Sequence, residues 1–279
     1  MEGVLISIVI ANYNYGRFLE DAITSVITQE GFDRCELILV DGGSTDNSLD
    51  VIQKYSDKIA WWVSEPDKGQ SDAFNKGFNR AKGKFFTWLN ADDILMRDAL
   101  KAIIGEIAQY PTCEWFTGST VWTDKDLNVV RCFCAHRFSW LRAKFGFLSV
   151  NGPSSFFSRR LYESVGGFDE SLHYVMDTDL WYKFARLCGA TYRRTRHNVW
   201  AYRKHEASKM SGADEYVSDI ALNNRQKSKL ESQTIIRRYG LHRGLFYKIV
   251  MAVTISPIDA IISSIRNKKW KGHSACSIK

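Results

Sequence analysis

Leu5-Ile6-Ser7-Ile8-Val9-Ile10-Ala11, followed at once by Asn12-Tyr13-Asn14, is the stretch that decides the fold class. It is an uncharged apolar run broken only by one small hydroxyl, the pattern of a strand covered on both faces. Next in the chain, Phe18, Leu19, Ala22, Ile23 and Val26 recur at helical spacing. A second apolar run, Glu36–Val40, ends at Asp41, and Ser44–Asn47 supply turn and cap residues for a helix through Tyr55. A shorter strand is expected over Ile59–Val63. The stripe Ala73, Phe74, Gly77, Phe78 and Ala81 predicts a helix within Gln70–Lys82, and Lys84–Leu89 reads as a fourth strand. This alternation predicts an α/β fold with a Rossmann-like, mostly parallel sheet, right-handed crossovers and flanking helices.

Ligands in such sheets bind outside the carboxyl ends of the strands. Here those ends carry Asn12-Tyr13-Asn14, Asp41-Gly42-Gly43, Glu65-Pro66-Asp67 and Asn90-Ala91-Asp92-Asp93. Four polar clusters at four strand ends converge on one crevice. Beyond residue 112 the expected elements are strands at Glu114–Trp122 and Val129–Phe133, an aromatic amphipathic stretch at Phe138–Leu148, and helices near Ser158–Val165 and Thr178–Leu187. A charged helix over 216–239 and an apolar one over 244–265 follow. The chain divides into a main domain over 1–212, with halves 1–110 and 111–212, and a basic helical extension over 213–279.

The net charge of +7 conceals an asymmetry. Residues 1–130 hold 12 Lys and Arg against 20 Asp and Glu, whereas 131–279 hold 26 against 11. A basic half suits a polyanionic partner such as a diphosphate substrate or an anionic lipid surface. Nucleic acid is a poor match: the first half is acidic, and no helix-turn-helix, zinc or RNP-like signature is present. The six cysteines lack paired metal spacing and read as reduced thiols. Glu2 stands where a signal peptide would be positive, and no run of about 18 uncharged apolar residues suggests a spanning helix. A cytoplasmic location is expected.

Three acidic segments and one histidine bear on chemistry. Asn90-Ala91-Asp92-Asp93 suits magnesium or manganese, which take one or two protein oxygens and leave phosphate and water to complete the shell; the competing reading makes Asp93 a cap for the next helix. Glu65–Gly77 feeds a helix N-terminus, a favourable place for an anion. In Asp177-Thr178-Asp179, Asp177 is the candidate for accepting a proton, while Asp179 suits capping of a helix whose Leu180, Phe184 and Leu187 face inward. His205 sits in the basic segment Tyr202–Lys209, as a metal ligand or phosphate partner.

Taken in order, Ser7–Asn14, Val40-Asp41-Gly42-Gly43-Ser44-Thr45-Asp46, Glu65–Gly77, Leu89–Asp93, Gly167-Phe168-Asp169-Glu170 and Asp177–Trp181 resemble the family-2 inverting glycosyltransferases of GT-A fold, of the bacterial polysaccharide type. The resemblance covers residues 4–210. It implies a hexosyltransferase-type reaction: a sugar moves from a nucleotide-diphospho-sugar donor to an acceptor hydroxyl with inversion, helped by manganese or magnesium. The acceptor would be a lipid-linked or growing glycan. By the same resemblance Asp41 would bind the nucleobase with Ala11 and Asn12 lining its pocket. Asp72 and Asn75 would lie near the nucleoside or donor sugar, Asp92 would hold the metal, Asp177 would be the general base, and His205 would lie near the diphosphate. Two positions depart from the family pattern. Asn90 stands at the first acidic position, where it can bind ribose, and Gly42 stands where a second acid usually follows Asp41. A catalytically degenerate binder and a sugar-phosphate nucleotidyltransferase are the rival readings; Ala11–Arg17 makes a poor phosphate loop for the latter.

Residues 244–265 are interrupted by Lys248, Pro257 and Asp259, with Arg237, Arg238 and Arg243 before them and Arg266, Lys268, Lys269 and Lys271 after. An apolar helix with basic borders can lie in the headgroup region of an anionic leaflet. Peripheral attachment to the inner face of the cytoplasmic membrane is one expectation, with Trp140, Leu141, Phe145, Phe147 and Leu148 as a second contact; the other is a C-terminal helix packed on the core or on a dimer partner.

Overall fold

Strand β1 (Ile6–Asn12) lies between β2 (Cys35–Asp41) and β4 (Phe85–Asn90), and β3 (Trp61–Ser64) flanks β2, all four parallel. The structure is a computed structural model that describes residues 3–135, 138, 143, 148, 150, 152–186, 191–206, 208, 219–241 and 257–278. Every apolar residue of β1 from Ile6 to Ile10 is buried, as expected of a strand covered on both faces. Helices α1 (Gly16–Ile27) and α2 (Ser48–Lys54) cover one face. Helix α3 (Gln70–Arg80) covers the other and approaches closely: a Cβ on Gly77 would stand 2.4 Å from Val9 Cγ1.

Among the described residues the sheet has nine strands, in the order β3-β2-β1-β4-β8-β6-β9-β5, with β7 on β6. Its second half is mixed. β8 (Ser155–Ser158) is antiparallel to both β4 and β6 (Trp115–Thr123), whereas β9 (Tyr192–Arg203) is parallel to β6. β5 (Ile94–Leu95) and β7 (Val129–Phe133) are antiparallel additions to β9 and β6. The parallel arrangement expected from the sequence thus describes the first four strands. Strands β5, β8 and β9 and helix α4 (Ala99–Gln109) lie outside the elements expected above. In β9 the run Tyr-Arg-Arg-Thr-Arg-His carries no strand-like apolar pattern, and register shifts between Thr117 and Thr120 disturb alternation along its partner.

Helix α5 (Arg159–Ser164) starts at Ser158, whose hydroxyl accepts from Leu161 N. Helix α6 (Met176–Arg186) is bound into the sheet by three near-parallel indoles. Trp181 lies 5.6 Å from Trp88 and 5.2 Å from Trp115, each at 19°. Asp179 does not cap this helix. It is fully buried in the first turn, where Arg238 Nη1 (2.7 Å), Tyr239 OH (2.8 Å) and Lys183 Nζ (3.1 Å) neutralise it. Leu187 lies outside the described residues.

Helix α7 (Asp219–Tyr239) supplies Arg238 and Tyr239, Lys183 coming from α6 itself, and buries Ile235 in the same core as Trp181. Helix α8 (Pro257–Trp270) lies along edge strand β7, where Asn267 Oδ1 accepts from Cys132 N at 2.6 Å and Ser263 Oγ from Cys134 N. Side chains thereby occupy backbone donors that an open edge would expose. The apolar part of the expected 244–265 helix falls mostly outside the described residues, as do Trp140, Leu141, Phe145 and Phe147; Leu148 packs against the core. No helix among the described residues is long and apolar enough to cross a membrane. The five described cysteines are free thiols.

Candidate active site

A cavity of about 600 Å³ opens at the carboxyl ends of β1 and β4 and extends to β6 and β9. Ala11, Asn12, Asn90, Asp92 and Asp177 of the expected site line it. This is the crevice that the four polar strand ends pointed to, since a parallel sheet brings its carboxyl ends to one side.

Asp92 is held by a residue 113 positions away. Its Oδ2 lies 3.1 Å from Nε2 of His205, a buried imidazole packed against Phe18 at 4.4 Å between centroids with the rings tilted by 40°. Asp92 lines the cavity, whereas the His205 ring is fully buried behind it; a carboxylate backed by an imidazole is a donor set that manganese or magnesium accepts, with substrate oxygens completing the shell. No group of three or more such ligands occurs among the described residues, so the pair would hold one side of a shared cation.

Asp93 faces the other way. It is fully buried, its Oδ1 accepting from Arg203 N (2.9 Å) and its Oδ2 from Asn90 Nδ2 (2.7 Å) and Trp200 Nε1 (3.0 Å). Burial, together with the adjacent Asp92 charge, pushes its carboxyl well above the ordinary range. The next helix begins at Ala99 after Asp98, so Asp93 is no cap. It ties the Asn90–Asp92 turn to the end of β9. Asn90 completes this link by accepting from Gln70 Nε2 at 2.7 Å.

Asp177 lies one turn before Trp181 and so shares its helix face. Burial raises its carboxyl above the usual value, partly offset by a hydrogen bond from Thr178 N at 2.6 Å. A carboxylate with a raised pKa is a stronger base than an ordinary aspartate, the property that proton acceptance from a hydroxyl calls for.

Besides His205, three expected site residues are engaged away from the cavity wall. Asp41 is fully buried and organises the turn after β2, accepting from Asn12 Nδ2 (2.6 Å), Ser44 Oγ (2.5 Å), Ser44 N (2.9 Å) and Ser64 Oγ (2.6 Å). These donors hold its carboxyl below the usual range against the opposing effect of burial, which is the largest single influence. Asp72 reaches back to Lys68 N (2.9 Å) and pairs with Lys76. Asn75 clamps the loop before α6, accepting from Tyr162 OH (2.5 Å) and Phe168 N and donating to Phe168 O.

Asn12 keeps one open valence. Its Oδ1 is buried without a hydrogen-bond partner, although its Nδ2 is used twice. An unsatisfied buried acceptor costs on the order of 1–3 kcal/mol, which a ligand N–H could recover. Asp67 and Tyr13 also line the cavity and were not singled out by motif. A Cβ on Gly42 would lie 2.7 Å from Asp67 Oδ2 and 3.3 Å from Tyr13 Cδ2. The Asp67 carboxylate therefore fills the space directly beside Gly42. The signal was Glu65-Pro66-Asp67 at a strand end, but which acid reaches the crevice depends on the turn, where Gly69 adopts φ +117°.

Comparison with known proteins agrees with this geometry. Residues 7–165 match the family model described as glycosyl transferase family 2. An uncharacterized glycosyltransferase of Rickettsia prowazekii is 28% identical over 190 residues, covering 66% of this chain and 59% of that protein. Chondroitin synthase of Pasteurella multocida is 28% identical over 188 residues, covering 66% of this chain and 19% of the synthase. The match thus spans about three fifths of the first relative's length and a fifth of the second's. Among solved structures, S. aureus TarS 1-349 in complex with UDP-GlcNAc superposes with a TM-score of 0.60 at 17% identity, covering 92% of this chain and 78% of that one. The mannosyltransferase PcManGT of Pyrobaculum calidifontis, in complex with GDP-Man and Mn2+, gives 0.57 at 15% identity over 96% and 88%. The fold is the GT-A fold.

Proposed function

The chain belongs to glycosyl transferase family 2, and from that premise we propose that it transfers a sugar from a nucleotide-diphospho-sugar to an acceptor hydroxyl with inversion at the anomeric carbon. The observation that carries this reading is that one cavity is lined by both Asp92, backed by His205, and Asp177. Support for the donor class comes from the bound UDP-GlcNAc and GDP-Man of the two structural neighbours.

In this reading the donor lies along the ends of β1 and β4. Asn12 Oδ1 and the Asp67 carboxylate accept from the nucleobase, and Asn90 faces the ribose. Asp41, Asp72 and Asn75 contribute by holding the loops that present these groups. Asp92 and His205 would hold a divalent cation, which when bound supplies positive charge against the departing diphosphate. Asp177 takes the proton from the acceptor hydroxyl as its oxygen bonds to the anomeric carbon. The bond from that carbon to the diphosphate oxygen breaks on the opposite face, so configuration inverts. Trp122, Tyr202 and Lys204 line the wall nearest the ends of β6 and β9, where an acceptor can enter. The chondroitin and hyaluronan synthases among the relatives support a growing glycan as acceptor; a lipid-linked acceptor and attachment to the inner membrane face belong to the same reading.

The test is calorimetric binding of a panel of nucleotide-sugars with manganese or magnesium, run beside donor turnover. Asp92→Ala is expected to lose metal-dependent donor binding, whereas Asp177→Asn keeps binding and loses turnover. Failure of every nucleotide-sugar to bind with either metal would favour the degenerate binder, and a retained anomer by NMR would exclude the displacement.

A further inference from the structure

Helix α8 presents a face that the proposed reaction does not use. Ile261 and Ile265, one turn apart, are each 58% exposed. Beside them an open recess of about 490 Å³ is lined by Arg131 of β7 and by Ser263, Ser264, Asn267, Lys268 and Lys271. No carboxylate among the described residues pairs with Arg131, Lys268 or Lys271. Among the described residues, three cations thus share one concavity without a counter-charge. Arg266, by contrast, is spent on β9, donating to Arg196 O at 2.7 Å and Asn198 Oδ1 at 3.2 Å. The basic border expected from the sequence therefore divides into one structural arginine and an outward-facing group.

We infer that this face of α8, with Arg131, docks on an anionic lipid bilayer, its lysines and arginine against lipid phosphates and Ile261 and Ile265 in the headgroup-acyl boundary. Charge complementarity selects the occupant. Convergent unpaired cations attract a polyanionic surface, and two adjacent isoleucines on the same exposed helix add an apolar contact that a soluble phosphate could not use. The position of α8 gives the docking a consequence. Beyond its C-terminus Gly272 N donates to Val129 O and Val129 N to His273 O, both at 2.7 Å. Val129 pairs with Thr123, whose carbonyl accepts from Lys204 N at 2.9 Å. Trp122 and Lys204, which line the cavity, therefore stand at the same end of the sheet as the C-terminal end of the docking helix. A bilayer on this face lies beside the acceptor side of the cavity. The inference rests on the proposed reaction only in giving this neighbourhood a lipid-linked acceptor.

The experiment is flotation of the full chain with vesicles of phosphatidylcholine alone or mixed with phosphatidylglycerol, at low and high salt, with donor calorimetry on the same preparations. Wild type is expected to float with the mixed vesicles at low salt and to be released by salt. One lysine near such a surface contributes about fivefold in partitioning, so Lys268→Gln with Lys271→Gln is expected to weaken flotation about 30-fold without altering the melting temperature or donor affinity. Ile261→Ser with Ile265→Ser is expected to weaken it as well; should that variant fold poorly, the lysine pair still decides. Absence of wild-type flotation, equal flotation with uncharged vesicles, or an undiminished lysine variant would each overturn the inference. A chain that binds donor but no vesicle refutes the docking face alone, and one that binds vesicles but no donor refutes the proposed reaction alone.

Discussion

Glu231 on α7 is the residue whose removal tests how the catalytic loop is held. Its Oε1 accepts from His173 N at 3.0 Å, and its Oε2 from Tyr174 N at 2.8 Å and Val175 N at 3.2 Å. Three consecutive amides immediately before α6 thus converge on one carboxylate, two residues from Asp177. Hydrogen bonds to a charged group contribute roughly 1.5–3 kcal/mol each, but the three share two oxygens and the side is half-exposed, so water recovers much of the loss. Glu231→Ala is therefore expected to cost about 2–3 kcal/mol, and Glu231→Gln, which keeps one acceptor oxygen, about half of that. Misplacing a catalytic group by about 1 Å costs on the order of a hundredfold in rate. Turnover in Glu231→Ala should accordingly fall at least about tenfold, while donor affinity holds because none of the proposed donor-binding groups Asn12, Asp67, Asn90 and Asp92 lies on the loop that Glu231 holds. Urea unfolding followed by tryptophan emission, together with kcat and donor KM, gives both numbers. A stability loss under about 0.5 kcal/mol with unchanged kcat would refute the clamp, since a merely surface-exposed glutamate behaves that way.

Asp177 carries a raised folded-state pKa, so the folded chain binds its proton more tightly than the unfolded chain and stability falls as pH rises through that window. Asp177→Asn should match or exceed wild type in melting temperature at neutral pH, with the difference shrinking once the pH drops below about 4; a variant less stable at pH 7 than at pH 4, relative to wild type, contradicts the desolvation argument. Asp179→Ala leaves Lys183 and Arg238 without their buried partner and should cost about 3–5 kcal/mol by chemical denaturation; a loss under about 1 kcal/mol rules that ion cluster out as a tie between α6 and α7. Gly77→Ala drives a methyl into Val9 and should cost about 1–3 kcal/mol, read as a shift in denaturation midpoint that a neutral result would deny. Gly42→Ala displaces the Asp67 carboxylate and should weaken donor binding by roughly ten- to hundredfold, the value of one charge-assisted hydrogen bond; unaltered calorimetric affinity would remove Asp67 from the donor site.

Local pattern determined what depends on near neighbours. The buried runs at Ile6–Asn12 and Cys35–Asp41 and the stripe Phe74, Gly77 and Phe78 are legible because side-chain burial repeats with the period of the element itself. The crevice followed from them, because a parallel sheet must bring its carboxyl ends to one side. Which acid does what was not legible. Asp92 and Asp93 are adjacent and chemically alike, yet one faces the cavity beside His205 and the other is buried against Trp200 and Arg203. That choice is made by β9, a strand with no apolar signature over its first half, through contacts more than 100 residues away in sequence. Glu231 is the same case, a glutamate in a charged helix until the fold sets it under three amides. Periodicity is a property of the chain, whereas the partner of a polar group is a property of packing; only the tertiary structure decides it.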